Sequence, residues 1–102
     1  MTNEAIVIEK KKTVNKNVKE PGKFKVVIFN DNVTTVEFVV AMLVNIFNMS
    51  QDDAMGVTRA VHNDGSGIAG IYTFEIAEQK SKEAIVLARQ NNYPLVIKVE
   101  AE

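Results

Sequence analysis

The sequence predicts a compact α+β domain with the element order β-α-α-β-α-β, following an extension over residues 1–22. Three observations predict it. Short β-branched and aromatic runs alternate with segments of helical period through about 80 residues, so strands and helices interleave. Turn and capping residues stand at each change of period. The last helical segment carries small residues at 77, 81, 84 and 88, a stripe that lets a helix lie close against a sheet.

The first 22 residues lack sustained periodicity, are rich in Lys, Asn and Glu, and close on Pro21-Gly22, the composition of a flexible extension. From Phe24 the texture changes, and "FKVVIF" reads as a strand ended by Asn30-Asp31-Asn32. Thr34-x-x-Glu37 is a capping-box pattern, and Val36, Val39, Val40, Leu43 and Phe47 recur at helical spacing, predicting a helix over 35–48. Ser50-x-x-Asp53 repeats the cap signal, with Asp52 and Asp53 suited to a positive helix end. Ala54, Val57, Thr58 and Val61 give that second helix its buried stripe. Its expected stop is near His62, before the breaker cluster Asn63-Asp64-Gly65-Ser66-Gly67. "IAGIYTFEI" (68–76) reads as the second strand, "AEQKSKEAIVLARQNN" (77–92) as the third helix and "LVIKVE" (95–100) as the last strand.

Composition bounds the function. A chain of 102 residues, 46% hydrophobic and 25% charged, builds one core and leaves little room for a deep enzyme cleft. No cysteine is present, which excludes disulfides, thiolate metal sites and a cysteine nucleophile. Residues 1–20 carry five lysines against three glutamates, whereas the rest carries seven basic and ten acidic residues. An acidic folded part is a poor nucleic-acid ligand, and Lys10-Lys11-Lys12 reads as a solvated tail. No apolar run approaches the ~20 residues that span a bilayer, and no targeting segment is evident. The expectations are therefore a cytoplasmic, monomeric protein with no nucleic-acid or membrane partner.

Catalysis has no support. There is one histidine, and no acid–base pair or nucleophile can be assembled. Gly65-x-Gly67-x-x-Gly70 spells a dinucleotide-binding expression, but it precedes a strand instead of joining a strand to a helix. A metal site would need His62 with carboxylates such as Asp31, and no spacing supports it. No cofactor and no metal are expected.

Five side chains, at three places, remain open between two readings. Asn30-Asp31-Asn32 either forms Asx turns or gathers acceptors around one carboxylate, which suits an ammonium group. His62 either favours a helix C-terminus or, neutral, accepts a hydrogen bond beside it. Thr58 either bonds back into its own helix within the core or lines a pocket.

"KVVIFNDNVTTVEFV", "AVH" at 60–62, "GIAGIYTFEIAEQK" and "YPLVIKVE", in this order and spacing over about Lys23 to Glu102, resemble the ClpS family of Clp protease adaptors. The resemblance implies a three-stranded antiparallel sheet packed against three helices, with residues 23–102 as the adaptor domain. It also implies a non-catalytic module that binds N-degrons, the N-terminal degradation signals headed by Leu, Phe, Tyr or Trp. Such a module delivers its substrates to the N-terminal domain of a ClpA or ClpC unfoldase, with the extension taking part. By position, Asn30, Asp31, Asn32 and His62 would hold the substrate's α-amino group. Thr34, Val36, Thr58, Val61 and Leu95 would line its side-chain pocket, and Glu75 and Lys80 would face the unfoldase.

The sequence departs from the family pattern at four places. Asn32 stands where a second aspartate is usual, Val36 and Thr58 replace methionines, and Thr35 replaces a proline. A valine is smaller and stiffer than methionine, so the resemblance implies a shifted or broadened preference. A different class of function, a ribosomal-stalk-like docking domain, shares a similar element order and would need no acceptor cluster beside an apolar pocket.

Overall fold

Residues 22–102 are described by a computed structural model of the chain. The expected extension therefore lies outside the described residues, except for Gly22. Strand β1, Lys23–Phe29, is the centre of the sheet, and Val26 and Ile28 are completely buried in it. Helix α1, Val36–Asn45, is followed by α2, Gln51–Asp64, and then by β2, Ser66–Thr73. Helix α3, Phe74–Gln90, leads to β3, Val96–Ala101. The three strands stand in the order β2-β1-β3, both pairings antiparallel, as the resemblance implies.

One face of the sheet is covered. Helix α3 packs across all three strands, while α2 packs against α1 and β2. Ala77, Ser81, Ala84 and Ala88 are all buried, so the small-residue stripe is the face that α3 lays on the sheet. Met42 and Leu43 from α1 and Leu95 ahead of β3 complete the centre of the core with Val26 and Ile28.

Element boundaries differ from expectation where tertiary pairing decides them. The second strand stops at Thr73 instead of 76, because Thr73 pairs with Lys23, the first residue of β1. Beyond it a strand would have no partner. The chain turns into α3 there, and Phe74 packs edge-on against Phe24 with ring centroids 5.1 Å apart. Helix α3 accordingly starts three residues before the expected 77 and ends at Gln90, with Asn92 at φ 63 turning the chain away.

The cap of α1 is Thr35, not Thr34. The Thr35 side chain accepts from the Phe38 amide at 3.1 Å, while the amide and hydroxyl of Thr34 are both taken by Asp31. Helix α1 also ends earlier than 48, at Asn45, and Asn48 at φ 59 leads the chain toward the next cap. Ser50 caps α2 as its pattern predicts, accepting from the Asp53 amide. That helix runs on to Asp64 because Gly65, at φ 91, supplies the left-handed C-cap and returns its amide to the Val61 carbonyl. Gly67 and Gly70 lie within β2, so the glycine pattern has no phosphate-loop geometry.

Candidate functional site

The strand-to-helix loop after β1 owes its shape to Asp31. Its Oδ1 accepts from the Val33 amide at 2.8 Å and the Thr34 amide at 2.7 Å, and its Oδ2 accepts from the Thr34 hydroxyl at 2.8 Å. Partial burial works against the charged form. The amides of Thr34 and Val33, the Thr34 hydroxyl and the positive Arg89 outweigh it, and the Asp31 carboxyl titrates below its ordinary 3.8. Asp31 is thus the turn-making member of the trio and stays anionic.

Its neighbours have a different position. Among the described residues the side chains of Asn30 and Asn32 make no hydrogen bond to another residue, and both are exposed. The Asn30 amide donates to the Gly65 carbonyl at 3.0 Å. This bond ties the loop to the C-terminal end of α2, where His62 stands in the last turn. The partial negative charge of that helix end, the Asp31 carboxylate and the amide oxygens together create an environment that favours a cation rich in hydrogen-bond donors.

A recess of ≈ 280 Å³ opens at this junction. Asn30, Asp31, Asn32 and His62 stand at its polar side, and Thr34, Val36, Val39, Thr58 and Val61 complete its lining. Val39, Thr58 and Val61 are buried, whereas Val36 is half exposed, so the recess has a closed apolar interior and an open lip. Thr58 does bond back into its own helix, its hydroxyl donating to the Ala54 carbonyl at 2.7 Å. It also lines the recess, so the two readings of this residue are not exclusive.

Eight of the eleven residues singled out from the sequence thus meet at one place. Leu95 does not line the recess; it is 1% exposed, within the core, and its carbonyl accepts from Arg89 at 2.9 Å. Val39 lines it instead. It stands three residues after Val36 on the apolar stripe of α1, and so on the same face of the helix. Glu75 and Lys80 lie on α3, away from the recess. Glu75 is exposed in the first turn, whereas the Lys80 ammonium donates to the Ile46 carbonyl at 2.8 Å and lies 5.6 Å from the centre of the Tyr72 ring. Lys80 thereby fastens the C-terminal end of α1 to α3 and β2.

A wider groove between α1 and α3, lined by Ile46, Lys82, Glu83, Val86, Leu87 and Gln90, lacks the convergent acceptors of the recess. Among the described residues no group of three or more His, Cys, Asp or Glu side chains is arranged to hold a metal ion. No described helix is long and apolar enough to cross a membrane.

Comparison with known proteins gives consistent results. Residues 19–98 match the family model of ATP-dependent Clp protease adaptor protein ClpS. The ATP-dependent Clp protease adapter protein ClpS of Campylobacter jejuni is 47% identical over 83 residues, 81% of this chain and 86% of the relative. That of Myxococcus xanthus is 42% identical over 85 residues, 83% of this chain and 79% of the relative. Among solved structures, Agrobacterium tumefaciens ClpS2 bound to L-phenylalaninamide superimposes with a TM-score of 0.79 at 36% identity. The match covers 81% of this chain and all of that one.

Proposed function

The chain belongs to the ClpS family of ATP-dependent Clp protease adaptors, and from that premise we propose that its recess receives the first residue of an N-degron. In this reading the free α-amino group sits among Asn30, Asp31, Asn32 and His62, and a bulky apolar side chain enters between Val36, Val39, Thr58 and Val61. The adaptor then passes the substrate to the N-terminal domain of a ClpA or ClpC unfoldase in the cytoplasm, and it performs no catalysis itself. Of the two α3 residues assigned to that contact, Glu75 is exposed and free to make it, while Lys80 shapes the surface beside it.

One observation carries the reading: a polar rim of acceptors and one carboxylate borders a buried apolar wall in a single recess. An α-ammonium offers three donors and no acceptor, and it is mostly charged at neutral pH. A C-terminal helix end and an anionic Asp31 favour that charge. The neighbouring ClpS2 structure, solved with an amino-acid amide whose α-amine is free, supports the same ligand chemistry. Family membership also decides against the ribosomal-stalk-like alternative.

Fluorescence anisotropy with Phe-headed peptides tests the proposal. The free peptide should bind at least about tenfold more tightly than its acetylated form, because acetylation removes the charge and two donors. Equal binding of the two would overturn it.

A further inference from the structure

We propose that Thr58 makes the recess select a side chain with a hydrogen-bond donor at its tip, so that an N-terminal tyrosine binds better than phenylalanine. This rests on the amine-binding reading above and specifies the side chain that follows the amine.

The buried wall of the recess consists of two valines, Val39 and Val61, and Thr58, itself only 6% exposed. A hydroxyl has one hydrogen to donate and two lone pairs to accept with. The hydrogen of Thr58 is committed to the Ala54 carbonyl at 2.7 Å. What remains is an oxygen that accepts and does not donate, on a residue of an otherwise apolar wall. Phenylalanine or leucine seated against it would remove water from that oxygen without replacing the hydrogen bond. A tip that only accepts would have to draw the hydroxyl hydrogen away from Ala54. A phenol can donate to the free lone pair while Thr58 keeps its helix bond, so both demands are met at once. The other hydroxyl of the lining, that of Thr34, is only partly buried and belongs to the loop at the polar side, bonded to Asp31, which leaves Thr58 as the discriminating group of the buried wall.

The experiment compares peptides identical except for an N-terminal Tyr, Phe or 4-fluorophenylalanine, with acetyl-Tyr as the control. The ligands are titrated against the full chain and against Thr58→Val, which removes the oxygen at nearly constant shape. Tyr should bind the unaltered chain roughly three- to tenfold more tightly than Phe. The fluoro analogue, of similar reach but without a donor, should behave like Phe. In Thr58→Val the Tyr/Phe ratio should fall to about one, as the loss of a single hydrogen bond requires. A ratio near one in the unaltered chain, or a ratio that survives in Thr58→Val, overturns the inference. Should that variant fail to fold, tight binding of the fluoro analogue to the unaltered chain overturns it equally. If acetyl-Tyr binds as well as free Tyr, the amine reading itself fails. If acetylation abolishes binding while Tyr and Phe bind alike, only the role of Thr58 fails.

Discussion

Asp31 holds three hydrogen bonds within four residues, and this explains how a loop rich in amides can serve as the border of a site. One of the three adjacent polar residues makes the turn, which leaves Asn30 and Asn32 projecting beside it. The dependence on pH follows from the sign of its shift. The Asp31 carboxyl titrates below its ordinary 3.8 in the folded state, so it binds protons less readily there than in the unfolded chain. Its stabilising contribution is therefore full at neutral pH and is lost as pH falls below 3.8 through the folded-state value. Asp31→Asn should cost about 1 kcal/mol at pH 7, since hydrogen bonds to a half-exposed carboxylate are replaced by weaker ones to an amide. Urea denaturation of both proteins across the acid range should show the difference constant above about pH 5 and shrinking below about pH 4.

At the scale of elements, α3 shows how side-chain volume sets the approach of a helix to a sheet. Four small buried residues face the strands, and larger ones such as Val86 point outward at 55% exposure. The close approach also brings Lys80 within reach of the Ile46 carbonyl, joining α3 to the end of α1. Ala84→Leu should destabilise the protein by about 1–3 kcal/mol, because the added atoms must displace the helix or adopt strained rotamers. Val86→Ala, two residues further on, should change stability by no more than about 0.5 kcal/mol. Denaturant midpoints of the two variants check the contrast; equal losses would mean that α3 presents a different face.

For the whole molecule, the recess is a product of the fold's connectivity. Its polar side comes from the loop after β1 and the end of α2, and its wall from α1 and α2, brought together by the antiparallel pairing of β1 with β2 and by the Asn30 to Gly65 bond. These are elements of the same core, so a ligand that binds there must oppose global unfolding. A Phe-headed peptide at 100 times its Kd should add about 2.7 kcal/mol to the stability. That corresponds to a rise in Tm of roughly 10–20 °C for a domain of this size. The acetylated peptide should leave Tm nearly unchanged. Thermal denaturation followed by circular dichroism measures both.

Much of the fold and of the recess follows from the sequence, because it rests on local chemistry. Periodicity marked every strand and helix, the Ser50 cap set the start of α2, and the small-residue stripe identified the buried face of α3. Asn30, Asp31, Asn32 and His62 stood out because acceptors at a turn and at a helix end suit a cation. The lone residues could not resolve their own alternatives: whether Asp31 turns the chain or Thr58 packs in the core depends on neighbours distant in sequence. The switch from strand to helix at Thr73, the assignment of the α1 cap to Thr35, and the place of Val39 in the wall were likewise decided in three dimensions. Capping and periodicity act over a few residues, so the elements and their polar ends are set by the order of residues alone. That those ends share one recess, with Leu95 outside it, depends on which buried surfaces meet, and this is settled by packing between elements far apart in the chain.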